Sequence, residues 1–199
     1  MTTDPTTGSA SCAAAQSGPA APGAAADRLW LDARRLLTAA PASPQRNEFL
    51  AHLEAFPDAM WRHGPPDHFT ASAVVFDASR TQVLLVLHKK ARLWLQPGGH
   101  FEDGDGSVEA AALREASEES GINGLSVIPG ALFLHHHPLT AAFGRCRSHL
   151  DLRLAATAPA DAPIAVSDES DDVRWWPVEH LPSDTDPELG DCIATLARA

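Results

Sequence analysis

The chain has 199 residues, a length that suits one domain with an added segment. Its formal net charge of -11 at pH 7 argues against a nucleic-acid groove as the main surface. A small phosphorylated ligand is still compatible with this charge, because a bound cation inverts the local field. The three cysteines, Cys12, Cys146 and Cys192, are odd in number and widely spaced, which fits neither a disulfide framework nor a zinc site. We therefore expect a reducing, cytoplasmic location.

Residues 1–26 are mostly Ala, Thr, Ser, Pro and Gly, without Lys or Arg, and they predict a disordered tail rather than a signal peptide or a membrane span. Residues 27–64 predict a helical hairpin. Its first helix repeats apolar residues at spacings of three and four, and its second opens at Ser43 and Pro44, with Phe49, Leu53 and Phe56 on one side. Because these apolar faces are too small to stand alone, we expect the hairpin to pack on the following domain or on the second subunit of a homodimer.

A second unit is predicted from residue 68 to residue 199, and it opens with strands. Two apolar, β-branched runs at residues 71–76 and 82–88 are separated by a turn, and residues 93–95 lead into a glycine-rich loop. The chain's only lysines, Lys89 and Lys90, lie just before this loop. Lys89 is therefore a candidate for contact with an anionic substrate, and an ordinary charged turn is the alternative.

The next segment, QPGGHFEDGDGSVEAAALREASEESGI at residues 96–122, passes from a loop rich in Gly and Asp into a predicted helix. Ser107 is the expected N-cap, and the helix should end at Gly121. At about 100° per residue, three carboxylates fall on one helix face. They belong to Glu115, Glu118 and Glu119. Mg²⁺ or Mn²⁺ prefers oxygen ligands and would relieve their repulsion, whereas a solvated acidic face is the alternative.

This segment resembles the Nudix box, the signature of the Nudix hydrolase family, over residues 99–122. The second half of the family pattern is complete here as REASEESGI, which starts at Arg114. The first half differs, because Asp105 stands where the family has a glutamate and eight residues rather than seven separate it from Arg114. The loop is thus one residue longer, and its acid is one methylene shorter. A contact between Asp105 and Arg114 is compatible with this difference, since the extra residue can restore the reach.

The resemblance covers residues 68–199 and implies an α/β fold, a Nudix-type α/β/α sandwich with a mixed sheet, to which the hairpin adds an N-terminal helical extension. It implies cation-dependent hydrolysis of a diphosphate linkage in a nucleoside diphosphate joined to another moiety, by in-line attack of water on phosphorus. The cation, Mg²⁺ or Mn²⁺, would be held by Glu115, Glu118 and Glu119. Arg114 would orient one of these glutamates, and Gly98 and Gly99 would shape the loop. The expected partner is a small phosphorylated substrate.

Further strands are predicted after the helix, at residues 125–128, 131–137 and 148–155. The second of them ends in the run His135, His136 and His137. Consecutive strand residues point to opposite faces, so only His135 and His137 can act together. One of them could contact the substrate or transfer a proton, and the alternative is that they are polar residues at a strand end.

The acidic segment before the last predicted strand also resembles the family. In many Nudix hydrolases a glutamate from a loop outside the box assists the metal or activates water. Glu169 is the candidate here, with Asp171 and plain solvated acidity as rivals. Trp175 and Trp176 alternate on the strand, so we expect one in the core and the other stacked on a base or on a helix. A closing helix is predicted at residues 187–198.

Three other functions remain open at this level. A Nudix-type module could sense a nucleotide or a sugar diphosphate without cleaving it, although the retained carboxylates favour an enzyme. An isomerase of prenyl diphosphates on the same fold would need an active-site cysteine, and Cys146 lies in no matching motif. The helical hairpin could instead make the chain part of an assembly.

Overall fold

The computed structural model describes residues 23–199, so most of the predicted tail, including Cys12, lies outside the described residues. The helices are α1 (Gly23–Ala39), α2 (Pro44–Ala55), α3 (Val108–Ser120) and α4 (Leu189–Leu196). The strands are β1 (Asp67–Phe76), β2 (Gln82–His88), β3 (Leu93–Leu95), β4 (Gly98–Gly99), β5 (Ser126–Pro138), β6 (Ser148–Thr157) and β7 (Ser170–Pro177). A short 3-10 helix spans Ala141–Phe143. Among the described helices, none has the length and apolar character that crossing a bilayer would need.

The seven strands form one mixed sheet in the order β3-β2-β1-β6-β5, with β4 paired to β1 and β7 paired to β2. β1 and β6 run parallel, from Asp67 beside Ser148 to Phe76 beside Thr157, and the other pairs are antiparallel. A parallel pair needs a long crossover connection, and α3 with β5 lies within it. The mixed sheet that the resemblance implied is therefore present.

Apolar side chains cover both faces of the sheet. One core contains side chains of α1, α2 and α3 together with β1, β6 and β5, and a second contains side chains of α4 with the other face of β1 and β2. Trp175 packs against the first core and Trp176 against the second, so each tryptophan is partly buried on its own face. The result is the helix, sheet, helix sandwich that was predicted.

The N-terminal hairpin is built into the first core. Leu29 of α1 and Phe49 of α2 are fully buried there. The indole N–H of Trp30 donates to the Leu53 carbonyl at 3.0 Å and joins the two helices. The sequence allowed the hairpin to pack on the following domain or on a second subunit. In the structure it packs on the sheet domain of its own chain. Phe56 differs from its prediction, because it is 44% exposed.

Some element bounds differ from the predictions. α1 begins at Gly23, four residues before its predicted start. β5 is one strand where two were predicted, because its register shifts between Val127 and Leu132 instead of breaking. Gly130 has a φ of 79° inside this irregularity, a conformation that glycine adopts without strain, so the strand continues past Pro129. α4 is shorter than predicted at both ends.

Candidate functional site

The helix that carries the three carboxylates, α3, is capped at both ends. The Ser107 hydroxyl accepts the Ala110 N–H at 3.1 Å, as predicted. Asp32 of α1 also accepts the Val108 N–H at 2.9 Å, and a carboxylate at a helix N-terminus is stabilising. Gly121 ends the helix with a φ of 73°. Because α3 is held at both ends, its glutamates have defined positions.

Glu119 lies in a buried position with one backbone partner. It is 5% exposed, and its Oε2 accepts the Gly98 N–H at 3.1 Å. A Cβ on Gly98 would collide with Ser72, so the close approach of this loop to β1 requires glycine. Burial raises the pKa of Glu119 to about 8, and the charges of neighbouring carboxylates act in the same direction. Among residues 23–199, no cationic side chain forms an ion pair with Glu119.

Glu115 is a second, half-buried carboxyl group on the same helix. A Cβ on Gly99 would lie 2.7 Å from its carboxyl carbon, so the absence of a side chain at Gly99 makes room for this group. Burial raises the pKa of Glu115 to about 7, against the opposing effect of Arg114. Both glycines predicted to shape the loop thus lie directly against box glutamates.

Arg114 links the loop to the carboxylates. Its guanidinium binds Asp105 through two hydrogen bonds, each of 3.0 Å, and it donates at 3.0 Å to Glu115, to Glu118 and to the His100 carbonyl. The Asp105 side chain is only 4% exposed. The hydrogen bonds with Asp105 are the largest cause that raises the pKa of Arg114. The predicted contact between Asp105 and Arg114 is confirmed, so the longer loop with its shorter acid still reaches the arginine.

Glu169 lies on an exposed turn directly before β7, as expected. Its charge contributes to the raised pKa of both Glu115 and Glu119, which places it in the same electrostatic cluster. Lys89 holds this turn, because its ammonium donates to the Asp168 carbonyl at 2.6 Å and its N–H donates to the Glu169 carbonyl at 3.2 Å. The rival acid Asp171 instead pairs with Arg92 at 2.7 Å.

A polar layer lies on the face of the sheet that α4 covers, whereas α3 packs on the opposite face. Asp151 is 3% exposed and accepts hydrogen bonds from Thr70, Ser72 and Arg153 at 2.8–3.0 Å. Burial alone would raise the pKa of Asp151, but the Arg153 charge contributes to holding it below its ordinary value. Ser72 lies opposite Gly98 in the pairing of β1 with β4, and the Gly98 N–H binds Glu119, so β4 lies between the polar layer and the glutamates of α3.

From the sequence, Asp151 stands out only as a polar residue near a strand end and Arg153 not at all, although polar residues alternate with leucines in SHLDLRL at residues 148–154. That alternation is the signal of a strand with one polar face. Two side-chain atoms of this layer, Arg153 Nη1 and Gln96 Oε1, are buried without a hydrogen-bond partner among residues 23–199. Unpaired buried polar atoms are costly, so each of these two atoms calls for a partner that residues 23–199 do not supply.

His135 and His137 lie on this polar layer and stack with their ring centroids 4.9 Å apart, as the alternation of strand residues predicted. Arg153 donates to His135 Nδ1 at 2.6 Å. Burial lowers the pKa of His135 to about 4, so its ring is neutral near pH 7. The structure therefore brings predicted residues into two groups, the glutamates of α3 with Arg114 and the pair of His135 and His137.

Comparison with known proteins agrees with this geometry. A family model of the NUDIX domain matches residues 66–196. A C. elegans Ap4A hydrolase in a binary complex is similar at 18% identity and a TM-score of 0.56, over 65% of this chain and 95% of that chain. The E. coli dihydroneopterin triphosphate pyrophosphohydrolase is similar at 16% identity and a TM-score of 0.54, over 66% of this chain and 96% of that chain.

A MutT protein from Methanosarcina mazei Go1 is similar at 20% identity and a TM-score of 0.52, over 67% of this chain and 95% of that chain. At these identities the solved structures show a shared fold. The family model adds the evidence of sequence, and its match covers more than half of the chain, including the whole box and β7. The chain therefore belongs to the Nudix hydrolase family and is an enzyme of the pyrophosphatase class.

Proposed function

We propose that the enzyme hydrolyses a diphosphate linkage in a nucleoside diphosphate joined to another moiety, and that it depends on Mg²⁺ or Mn²⁺. One observation carries the proposal: buried Glu119 and half-buried Glu115 lie one helical turn apart, with the pKa raised to about 8 and about 7. A purely structural acidic helix face would be solvated and would not bury two like charges.

The residues of this cluster fit a hard divalent cation. Nudix hydrolases generally use divalent cations, and carboxylate oxygens are the ligands that Mg²⁺ and Mn²⁺ prefer. Glu115, Glu118 and Glu119 would hold the ion, which would compensate their mutual repulsion and keep them ionised. When bound, the cation supplies charge neutralisation on the diphosphate and a lower pKa for the attacking water.

The protein's own groups orient these ligands. Arg114 donates to Glu115 and Glu118, and the Gly98 N–H fixes one oxygen of Glu119. Such bonds hold a carboxylate in one rotamer without occupying all of its lone pairs. Glu169 is proposed as the loop carboxylate that assists the cation or takes the proton from the attacking water, and a box glutamate is the alternative base.

The polar layer is proposed to bind the half of the substrate that lies beyond the phosphates. His135 and His137 have lowered pKa values because of burial, so they would offer hydrogen bonds rather than positive charge. Neutral imidazoles suit a ribose hydroxyl or the edge of a base. Arg153 Nη1 and Gln96 Oε1 supply a buried donor and a buried acceptor without partners in residues 23–199. Contact of Lys89 with a phosphate stays a prediction.

The test measures phosphate or nucleotide release from ADP-ribose, dinucleoside polyphosphates, NADH, sugar nucleotides and nucleoside triphosphates, with Mg²⁺ and with Mn²⁺. Glu119→Gln is the variant. Glu54→Gln is the matched control, because Glu54 lies on α2 with its side chain 58% exposed. We expect cation-dependent cleavage of one substrate class, about 100-fold or more slower in Glu119→Gln and unchanged in Glu54→Gln. Tight cation-dependent binding without turnover would overturn the proposal in favour of a sensing module.

A further inference from the structure

Four side chains with nitrogen or sulfur donors meet at the end of the sheet where β1 and β6 begin. They are His68, His100, Cys146 and His149, and one donor atom from each lies within 4.8 Å of the donor atoms of the other three. The fold brings them together because β1 and β6 are parallel, with His68 beside His149, and because β4 pairs with β1 directly before His100.

The three imidazoles have the spacing of ligands around one ion. Their ring centroids are 5.1 Å apart in each of the three pairs, and Nε2 of His68 is 3.1 Å from Nε2 of His100. Around a tetrahedral zinc ion with bonds of about 2.0–2.1 Å, ligand nitrogens are about 3.3 Å apart and ring centroids about 5 Å apart. To complete such a site, the two donor atoms that lie farthest apart would move closer to each other by about 1 Å.

The hydrogen bonds of the histidines suit metal ligation. Nδ1 of His68 donates to the Pro65 carbonyl at 3.0 Å, because a carbonyl can only accept, and this leaves a lone pair on Nε2 of the neutral ring. Metal-binding histidines usually donate their second nitrogen in this way. Nε2 of His149 is buried, and residues 23–199 give it no hydrogen-bond partner. The Cys146 thiol is buried and free of any disulfide.

We propose that His68, His100, Cys146 and His149 form a binding site for a divalent transition-metal ion, with zinc as the best fit. Imidazole nitrogens and a thiolate suit zinc, whereas Mg²⁺ and Mn²⁺ prefer the oxygens of the glutamates. Four protein ligands make a closed, structural type of site. The ion would tie β1 and β6 to the loop after β4, whose His100 carbonyl accepts from Arg114.

The expectation that the cysteines serve no zinc site rested on the spacing of cysteines alone. Cys146 has no cysteine near it in sequence, and of its three histidine neighbours only His149 is close, three residues further along the chain. The pairing of β1 with β6 and β4 brings His68 and His100 to the other two residues.

The test titrates the full-length, metal-free protein with Co²⁺, which reports tetrahedral thiolate ligation through visible bands and a near-ultraviolet sulfur-to-cobalt band. We expect one Co²⁺ per chain with both features, and displacement by Zn²⁺. Cys146→Ser should remove the sulfur band, and His149→Gln should weaken Co²⁺ binding by more than about 100-fold. Cys192→Ser, which changes another buried thiol, and Glu119→Gln should leave the spectrum unchanged.

Circular dichroism of each variant confirms that it is folded, and the wild-type titration needs no variant at all. A wild-type spectrum without tetrahedral and sulfur bands would overturn the proposal. So would a sulfur band that persists in folded Cys146→Ser. Neither readout uses substrate turnover, so the outcome is independent of the proposed hydrolysis.

Discussion

The buried glutamates of α3 predict that the cation-free protein loses stability as the pH rises. The pKa of Glu119 is about 8 in the folded chain, whereas 4.5 is the ordinary value for glutamate. Between these values the folded state holds a proton that the unfolded state has released. The free energy of unfolding therefore falls with increasing pH across this window, and the stability is fully present only below pH 4.5.

The size of this effect follows from the difference in pKa. Each pKa unit corresponds to about 1.4 kcal/mol, so Glu119 alone should cost the folded state about 4 kcal/mol at pH 8. Glu119 is only 5% exposed, so solvent does little to screen the effect. Because domains are stable by about 5–15 kcal/mol, a loss of this size is readily measured.

Glu119→Gln isolates the effect, because glutamine keeps the size of the side chain and an oxygen for the Gly98 N–H but does not titrate. The variant should be more stable than wild type by several kcal/mol at pH 8 in chelator and nearly equal to it at pH 5. Buried histidines such as His149, whose pKa burial lowers to about 3, have the opposite pH dependence below pH 6.5. They are present in both proteins, so they cancel in the difference.

The assay is urea denaturation at pH 5, 6.5 and 8, with EDTA and then with Mg²⁺ or Mn²⁺, and Glu54→Gln is the surface control. The cation should restore stability to wild type at pH 8 and help Glu119→Gln much less, since binding to the folded state alone stabilises it. The decisive quantity is the difference in the free energy of unfolding between wild type and Glu119→Gln. If it changes by less than about 1 kcal/mol between pH 5 and pH 8, the carboxyl groups are not coupled to stability as described.

Three further substitutions test the support around the site. Asp105→Ala removes two hydrogen bonds from Arg114 and should lower the free energy of urea unfolding by about 1–3 kcal/mol and reduce cation-dependent turnover, whereas unchanged values would contradict the role of the longer loop. Asp32→Ala removes the acceptor for the Val108 N–H and should lower the free energy of unfolding by about 0.5–2 kcal/mol, measured by thermal denaturation. Unchanged stability would show that the hairpin does not support α3. Gly99→Ala puts a Cβ against a box carboxyl group and should slow turnover in kinetic assays while circular dichroism stays unchanged; full activity would be inconsistent with this contact.

Features encoded within a short stretch of sequence could be predicted. The caps of α3 at Ser107 and Gly121, and the shared face of its glutamates, depend only on helix geometry and on residues at most a few positions apart. The contact between Asp105 and Arg114 depends on reach along one loop, and it is also local. The site helix was therefore predictable with its functional groups.

Features that depend on pairing between distant strands could not be predicted. The parallel register of β1 and β6 puts Thr70 beside Asp151 and His68 beside His149, and no local pattern specifies that register. The polar layer was missed for this reason, as was the histidine and cysteine cluster. The prediction of two strands in place of β5 was wrong. Pro129 and Gly130 indicate a turn, whereas the sheet accommodates them as an irregularity within one strand.

The placement of the cysteines also bears on the isomerase alternative. Cys146 lies with the histidine cluster, and Cys192 is a residue of α4 that is buried in the second core. Burial raises the pKa of Cys192 to about 12, which makes it unreactive. Among the described residues, neither free cysteine belongs to the carboxylate cluster as an isomerase would require. The hairpin packs on its own domain. The homodimer stays a prediction.

The most direct measurement of the central claim is hydrolysis in ¹⁸O-labelled water, with mass spectrometry of both products of the best substrate in the panel. We expect cation-dependent cleavage at a diphosphate, with ¹⁸O in one of two phosphorylated products, and strong loss of this label in Glu119→Gln. Cleavage that places ¹⁸O in neither product, or that proceeds equally in EDTA, would contradict attack of water on phosphorus at a cation held by the glutamates of α3.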